Sequence, residues 1–578
     1  MTRRERVAYA ALLALAAGSL LAFLAWWLAP GHVATNFPGR RHIVDVVLFA
    51  SLTLVFGHRL FMDAFSWIVA WGMRREDTPP RPEPGLRVAF ITTFVPSSEP
   101  LDMLRATLPA MIAVDYPHDT WVLDEGGVDE VRELCDELGV HYFSRSGVRR
   151  YNLVAGPYTA RTKGGNHNAW YDSVADDYDI VAQIDTDFIP RHDFLTRTLG
   201  HFRDPRIGFV GTPQVYGNGD ESFVARGASQ QQYSFYGPLL RGLASRGHAN
   251  MIGANHIVRV AALREVGLYA GHLTEDLLTG MRLHASGWRS TYVSEPLAVG
   301  EGPVTWQAYF NQQTRWAFGC MDILRWHTPS LVRSMGRRQA ALYVALQQHY
   351  FSGLAAALGL VLLMLYFAAG VAPASVGLVE MLLWVTPLVV ARQAVTLWLQ
   401  RFNPDPASDR GWHLAGRYMS VVTAPVYFLA AIGVLRQKRL VFKVTPKGAG
   451  QRDRTPLAMI APHALIGVVA VGCLASAYAT GRTSIPMLFW AGLNALVMLS
   501  FLVVVLVTRT PDATAGPARV IELAREGAPV HGHQARAGAL GSSGGLGPVD
   551  LGSSRRRSAV LVDAYPVDDH LLRPDAAR

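Results

Sequence analysis

Two short groups of residues could act together on a substrate that carries both hydroxyl groups and negative charge. The first is Thr274-Glu275-Asp276, which predicts a helix start with Thr274 as N-cap and two acids in the first turn. A helix N-terminus favours ionised carboxylates, so Asp276 is predicted to be a charged acceptor that can take a proton. We interpret Asp276 as a general base with Glu275 supporting it. The alternative is that the triplet only starts a helix.

The second group is Gln312-Gln313-Thr314-Arg315-Trp316. Its Gln312, Arg315 and Trp316 follow the i, i+3, i+4 spacing that places side chains on one helix face. An amide, a guanidinium and a flat indole suit a pyrophosphate next to a sugar ring. The same stretch is also typical of an amphipathic helix with a tryptophan at the membrane edge, and the two interpretations are compatible.

A third group, Asp185-Thr186-Asp187, ends the apolar run Ile180–Ile184. This is a usual position for a divalent cation held between carboxylates and phosphates. Mg²⁺ or Mn²⁺ at Asp185 and Asp187 would neutralise charge on a departing nucleoside diphosphate, and hard oxygen ligands argue against zinc or copper there. The acids, the base and the cation–indole pair together predict transfer of a sugar from a nucleotide sugar.

Two further positions are candidates for contact with the nucleotide. Asp124 closes an apolar run and precedes Glu125-Gly126-Gly127, so its alternative role is to make a turn. Lys163 opens the segment Lys163-Gly164-Gly165-Asn166 before a predicted helix. A lysine beside flexible glycines and helix amides can hold a diphosphate, whereas a solvated loop is the plain alternative.

These groups need a scaffold, and short β-rich runs that alternate with helical stretches provide it. The runs are Leu86–Phe94, Thr120–Leu123, Val140–Phe143, Ile180–Ile184 and Ile207–Val210. Such alternation predicts an α/β fold with a largely parallel sheet. Ligands of parallel sheets bind beyond the carboxyl ends of the strands, where several of the polar groups fall.

The composition indicates a membrane part beside this domain. Half of the 578 residues are hydrophobic and 17% are charged, with a net charge of +9. Many basic residues lie next to apolar segments, which favours contact with anionic membrane lipids. No nucleic-acid motif accompanies the charge, so we expect no nucleic-acid partner. The three cysteines lack paired or metal-type spacing, so we expect reduced thiols and no zinc bound by them.

The apolar runs predict the division of the chain. Residues 1–77 carry two spanning helices, and the first is too long for a signal peptide. Residues 78–85 form a Pro-rich linker, 86–330 the cytosolic α/β domain, 331–508 a helical bundle and 509–578 a disordered tail. Segment 410–435 is predicted to lie along the interface, since a span there would put the basic residues after it outside. Six spans then leave both termini in the cytoplasm.

Taken together, these residues resemble the processive family 2 glycosyltransferases, most closely the bacterial cellulose synthase-like branch. The resemblance runs from about Leu86 to Lys447. It implies a GT-A (Rossmann-like) domain inserted between transmembrane helices, with Asp124 at the nucleotide. It also implies a gating loop at 437–450, where Phe442–Gly448 matches and where Thr445 and Lys447 reach the phosphates. The family's PilZ domain is not expected in this chain.

The resemblance also implies the function. We expect an inverting transferase of the inner (plasma) membrane that polymerises a β-linked polysaccharide from a UDP-sugar, first of all UDP-glucose, and translocates it. The donor, a growing glycan or lipid acceptor, and a cell-envelope protein are the expected partners. Gln313 stands where many cellulose synthases carry Arg and hyaluronan synthases carry Gln, so the sugar stays open. The alternatives are single transfer to a lipid or short acceptor, and an inactive scaffold or conduit.

Overall fold

A mixed sheet forms the centre of the domain in the computed structural model, which describes residues 1–74, 79–437 and 455–508. Its strands are β1 Val88–Phe94, β2 Asp119–Asp124, β3 His141–Ser144, β4 Ile180–Asp185, β6 Ile207–Gly211, β8 Asn255–Arg259 and β9 Arg289–Tyr292. They lie in the order β3-β2-β1-β4-β8-β6-β9. Strands β5 Ile189–Pro190, β7 Val215–Tyr216 and β10 Ala298–Gly300 form a small second sheet. Only β8 runs antiparallel to its neighbours in the large sheet, so the sheet is largely parallel as predicted.

The register of the central strands explains why the acids meet. In the parallel pair β1–β2, Phe94 lies opposite Asp124, and in the pair β1–β4, Thr93 lies opposite Asp185. Parallel strands end at the same edge of a sheet, so both aspartates lie at that edge.

Both faces of the sheet are covered by helices. All seven residues of β1 are buried. Successive residues of a strand point to opposite faces, and Phe90 belongs to one apolar cluster whereas Ile91 belongs to another. Burial on both faces is typical of parallel α/β sheets, and it explains why β1 is a continuous apolar and threonine run.

The helices follow the alternation that the sequence predicted. Around the sheet they are α3 Leu101–Ile112, α4 Asp129–Leu138, α5 Lys163–Ser173, α6 Phe194–Thr198, α7 Phe223–Ser234, α8 Leu240–Ala244, α9 Val260–Glu265, α10 Glu275–Ala285, α11 Trp306–Trp326 and α12 Thr328–Leu331. Before them come α1 Arg3–Trp27 and α2 His42–Trp71. After them come α13 Arg337–Gln347, α14 Ser352–Ala369, α15 Leu378–Leu399, α16 Leu414–Val422, α17 Ala424–Leu435, α18 Leu457–Thr480 and α19 Ile485–Val507.

Seven helical stretches among the described residues are long and apolar enough to cross a membrane, by length and composition. They are Arg3–Trp27, Gly39–Trp71, Arg337–Ala369, Leu378–Phe402, Leu414–Leu435, Leu457–Thr480 and Ile485–Val507. The predicted class, an α/β domain between membrane helices, is thus confirmed, and the chain is a membrane protein. The count exceeds the six predicted because Leu414–Leu435, predicted at the interface, also qualifies. That stretch is 56% buried, against 17–28% for the others, so it packs mainly against protein.

Some of the predicted segments lie outside the described residues. They are part of the basic stretch after Leu435, nearly all of the predicted gating loop 437–450 with Thr445 and Lys447, the predicted tail 509–578, and residues 75–78, of which the last is the first residue of the predicted linker 78–85. Within the described ranges, all three cysteines are buried and unpaired, in line with reduced thiols.

Candidate active site

A single large cavity collects most of the predicted site residues. Its volume is about 2930 Å³, several times the volume that encloses one small ligand. The predicted residues that line it are Lys163, Asp185, Asp187, Glu275, Asp276, Gln312, Arg315 and Trp316. Residues that are far apart in the sequence therefore line the same cavity. The predicted sugar transfer requires such proximity.

The acid pair stands at the start of α10, as predicted, but the cap differs. Thr274 occupies the N-cap position, yet among the described residues its side chain accepts no hydrogen bond from the first turn of the helix. Its Oγ1 lies 3.2 Å from Nδ1 of His272 instead. Asp276 Oδ1 accepts a hydrogen bond from the amide of Leu277 at 2.8 Å. The helix start therefore orients the carboxylate of Asp276 without help from Thr274.

Burial corrects the expectation about the charge of Asp276. The sequence led us to expect that the helix N-terminus would keep this carboxylate ionised. Burial is the largest effect and raises the pKa of Asp276, although the Leu277 amide, Lys163 and Arg315 oppose it. Burial, followed by the neighbouring Asp276, also raises the pKa of Glu275. A carboxyl group with a raised pKa is a better proton acceptor near neutral pH than an ordinary aspartate.

Lys163 is the first residue of α5 rather than part of a loop before it. Thr162 caps this helix, since its Oγ1 accepts a hydrogen bond from the Gly165 amide at 3.1 Å. The ammonium group of Lys163 donates to Asp185 and, at 2.5 Å, to the carbonyl of Gly253. The helix start thus places one cation between the strand-end aspartate and the acid pair. An ammonium group in this position, at the start of a helix, suits the binding of a diphosphate.

The residues predicted to hold a metal fit a hard cation. Asp185 ends β4, and Asp187 follows it in the turn with 2% of its surface exposed. Asp187 Oδ2 lies 3.4 Å from the amide of Glu301, another residue of the cavity wall. Two carboxylates offer fewer ligands than Mg²⁺ or Mn²⁺ requires, so phosphate and water oxygens would complete the set. The donor set therefore suits an ion that arrives with a nucleotide.

Asp124 behaves as the alternative interpretation predicted. Its side chain is fully buried and, in the described part of the chain, does not line the cavity. It accepts hydrogen bonds from the amides of Gly126 at 2.8 Å and Val128 at 2.6 Å, and from the hydroxyl of Tyr142 at 3.0 Å. These contacts build the turn after β2. A direct contact of Asp124 with a nucleotide stays a prediction.

Helix α11 presents its predicted face to the cavity. Gln312 Nε2 donates to the hydroxyl of Tyr216 at 3.2 Å, while Arg315 and Trp316 are half-buried in the cavity wall. Gln313 also lines the cavity, and its Oε1 accepts a hydrogen bond from Tyr427 of α17 at 2.7 Å. Gln312, Arg315 and Trp316 thus line the cavity together with Gln313, and their roles toward a substrate stay predictions.

Two polar residues of the same wall, Glu125 and Glu99, were not among the predicted site residues. Glu125, beside Asp124, lines the cavity and forms a bidentate ion pair with the buried Arg145 at 3.0 and 2.9 Å. Glu99, in the loop after β1, accepts a hydrogen bond from the Val95 amide at 2.8 Å. The rule that ligands bind beyond strand ends also covers the loop after β1, so that rule could have found Glu99.

The cavity continues from these residues into the helical bundle. Its lining includes Ala356 of α14 and Asn494 of α19. It also includes Arg392 of α15, whose Nε lies 2.5 Å from Asp63 Oδ2 of α2. Charged residues inside apolar helices are costly unless they pair or face a polar space, and this pair does both. The candidate site and the bundle therefore share one continuous space.

Comparison with known proteins shows which proteins the chain is similar to. Residues 180–398 match the family described as "Glycosyl transferase family group 2". The cellulose synthase catalytic subunit [UDP-forming] of Pseudomonas fluorescens (strain SBW25) is 28% identical over 362 residues, 60% of this chain and 46% of that protein. Its counterpart from Xanthomonas axonopodis pv. citri (strain 306) is 28% identical over 342 residues, 57% of this chain and 44% of that protein.

This chain thus spans about half the length of the curated relatives it matches. A solved mannosyltransferase from Pyrobaculum calidifontis, in complex with GDP-Man and Mn²⁺, is 16% identical with a TM-score of 0.47. The aligned region covers 68% of this chain and 100% of that one, and a similarity of this size has no bearing on function. The sheet order, the flanking membrane helices and the match of residues 180–398 agree with the expected GT-A fold, and the chain is similar to the cellulose synthase-like family 2 glycosyltransferases.

Proposed function

We propose that the chain is a membrane-embedded, inverting glycosyltransferase that polymerises a β-linked polysaccharide from a UDP-sugar, first of all UDP-glucose. The observation that carries the proposal is the shared cavity, which joins Glu275, Asp276, Arg315 and Trp316 to the interior of the helical bundle. The relatives named UDP-forming cellulose synthase subunits support the same donor and polymer.

The side chains support direct displacement. Asp276 would take the proton of the acceptor hydroxyl while that oxygen attacks the anomeric carbon and the bond to the diphosphate breaks. The proposed site contains one positioned base and no second nucleophile. This favours inversion of configuration at the anomeric carbon. Glu275 beside it would stabilise the pair by sharing protons, since burial raises the pKa of both carboxyls.

Cations and an indole would hold the two substrates. Lys163 and Arg315 would neutralise the diphosphate, and Trp316 would form the floor beneath the acceptor sugar. Asp185 and Asp187 would hold Mg²⁺ or Mn²⁺, which supplies further neutralisation of the leaving diphosphate. In this proposal Asp124 shapes the nucleotide end of the site.

The segment around residues 437–450 is the proposed gating loop. Thr445 and Lys447 would close over bound nucleotide and exclude water. The catalytic domain at 86–330 and both termini would lie on the cytoplasmic side of the inner membrane, with the polymer passing through the bundle of residues 331–508. A cell-envelope protein would then receive the glycan.

The experiment is sugar incorporation by proteoliposomes with UDP-glucose, UDP-N-acetylglucosamine and GDP-mannose, each with and without EDTA. We expect an EDTA-sensitive, high-molecular-weight product from UDP-glucose that is absent with Asp276→Asn. Products that carry one added sugar would replace the proposal with single transfer. No transfer and no release of nucleotide from any donor would contradict an enzyme and favour the scaffold alternative.

A further inference from the structure

Three side chains outside the proposed transfer chemistry converge next to it. They are His272, in the loop before α10, Asp322 of α11, and His327 at the end of α11. One potential ligand atom from each lies within 4.8 Å of the other two. All three side chains are half-buried, so an ion from solution could reach them. The cluster therefore combines two imidazoles and a carboxylate from two chain segments that are far apart in the sequence.

The contacts within the cluster have the dimensions of a metal site. His272 Nε2 lies 3.1 Å from Asp322 Oδ2. Nitrogen and oxygen ligands about 2.1 Å from one tetrahedral ion are roughly 3.4 Å apart. The rings of His272 and His327 meet at 84° with centroids 5.7 Å apart. Within the described residues, the His327 ring makes no hydrogen bond, so its lone pair is available to a ligand.

We propose that His272, Asp322 and His327 bind one divalent transition-metal ion of the Zn²⁺ class, distinct from the ion proposed at Asp185 and Asp187. Imidazole nitrogen selects Zn²⁺ and its transition-metal neighbours over Mg²⁺, whereas the two aspartates offer only hard oxygen. Three protein ligands leave a fourth position for water. This ion is independent of the nucleotide, because its ligands do not depend on phosphate oxygens.

A hydrogen bond around the ion would link it to the acid pair. Nδ1 of His272 lies 3.2 Å from Oγ1 of Thr274, the residue directly before Glu275. It also lies 3.1 Å from the Thr274 amide, which favours a proton on Nε2. His272 would hold an ion through Nε2 only after its ring proton moves from Nε2 to Nδ1, and Nδ1–H would then donate to Thr274 Oγ1 in place of the hydrogen bond that Nδ1 accepts from the amide. Metal-bound histidines typically donate their second ring N–H to such an oxygen.

The ion would hold together the two helices of the transfer site. His272 precedes α10, which begins with Glu275 and Asp276, while Asp322 lies on α11 seven residues after Arg315. Seven residues are about two helical turns, so both α11 side chains lie near the same side of the helix. The three ligands are thus positioning residues for the acid pair. This positioning role rests on the proposed function, whereas the ion site itself does not.

The test uses the purified full-length chain in detergent, stripped with a chelator and titrated with Zn²⁺ without nucleotide. We expect one ion per chain by elemental analysis, and Co²⁺ in its place should show the visible absorption of nitrogen–oxygen coordination. Asp322→Asn and His327→Gln should each weaken Zn²⁺ binding by roughly tenfold or more. The asparagine keeps the size of Asp322 and an acceptor for His272, so a loss of folding is not expected to cause the effect.

Two controls separate this ion from the others. His192→Gln removes an exposed histidine with 72% of its side chain accessible, and Asp185→Asn removes a proposed ligand of the nucleotide metal; both should bind Zn²⁺ as the unmodified chain does. If the ion positions the acid pair, Asp322→Asn should also shift the pH profile of transfer.

The outcomes are distinct. An unmodified chain that binds no Zn²⁺, or ligand variants that bind it equally well, would overturn the site. Zn²⁺ binding in a chain without transfer activity would reject the proposed function and leave the site standing. Transfer by a chain that takes up no Zn²⁺ would reject the site alone.

Discussion

Glu275 and Asp276 stand side by side in the wall of a cavity, where burial raises the pKa of both carboxyls. The cations of Lys163 and Arg315 lower both pKa values again but do not cancel the effect of burial. Two acids this close hold protons more tightly than isolated acids do. At the scale of single residues, desolvation therefore raises the pKa values of the acid pair, and the two cations offset part of that rise.

Removal of the proposed base should strongly slow transfer. For Asp276→Asn we expect kcat to fall by about 10²–10⁴-fold, because general base catalysis contributes that much to proton transfer. The measurement is initial rate of sugar incorporation at saturating donor. Asp220→Asn, a change at a side chain that is 81% exposed, is the matched control and should keep normal activity. A rate for Asp276→Asn within twofold of the control would contradict the assignment.

The raised pKa of Glu275 predicts a stability effect with a definite sign. A carboxyl group whose pKa is higher in the folded chain contributes stability below its unfolded pKa, and that stability is lost as pH rises through the folded pKa. Glutamine cannot ionise, so Glu275→Gln should raise Tm at about pH 8 and have a smaller effect at about pH 5. Thermal unfolding in detergent at both pH values checks this. An equal shift at both would show that Glu275 does not titrate in this range.

At the scale of elements, close packing of α11 against the start of α10 fixes the geometry of the site. A Cβ atom on Gly319 would lie 2.5 Å from Oγ1 and 2.6 Å from Cγ2 of Thr274. The absence of a side chain therefore allows the helix that carries Arg315 to approach the helix that carries the acid pair. Backbone approach of this kind is what a glycine inside a helix typically permits.

Substitution of this glycine should separate the two helices. Gly319→Ala is expected to destabilise the chain by about 1–3 kcal/mol, the usual range for an overpacked core, and to reduce transfer more than donor binding. Displacements near 1 Å can cost about a hundredfold in rate. Gly472→Ala in α18 is the control, because a Cβ there meets nothing within 4 Å. Normal activity of Gly319→Ala would contradict the packing argument.

At the scale of the whole molecule, one cavity runs from the α/β domain into the helical bundle. Residues of α2, α14, α15 and α19 line it together with the acid pair. Its 2930 Å³ exceeds what a single nucleotide sugar fills, so a growing glycan could share it. The arrangement favours a chain product over a small soluble one.

A bulky side chain at the bundle end of the cavity should hinder extension of the glycan without stopping the transfer of single sugars. Ala356 of α14 lines the cavity, so Ala356→Trp should shorten the product while the initial release of UDP continues. Product length on gels and nucleotide release would be compared in proteoliposomes. Met364→Trp, on the same helix at a side chain that is 45% exposed, is the control and should leave length unchanged. Equal lengths in both variants would argue against extension through the bundle.

Much of this arrangement was readable from the sequence because it depends on local patterns. The five predicted strands agree with β1, β2, β3, β4 and β6 to within two residues, since buried parallel strands form short apolar runs. Strand β8 was not predicted; it completes the sheet only by long-range pairing with β4 and β6. The three residues at the i, i+3, i+4 spacing lie on one helix, α11, and all three line the cavity.

Other features depend on which segments meet, and no local pattern contains that information. Residue types and spacing determined the helix that starts with Glu275, the strand that ends at Asp185 and the apolar lengths of the membrane helices. Tertiary packing alone decided that burial would raise the pKa of Asp276 and that Asp124 would lie outside the cavity wall. Tertiary packing also brought His272, in the loop before α10, to Asp322 of α11. The physical reason is that desolvation and long-range contacts depend on neighbours distant in sequence, whereas helix, strand and capping preferences depend on adjacent residues.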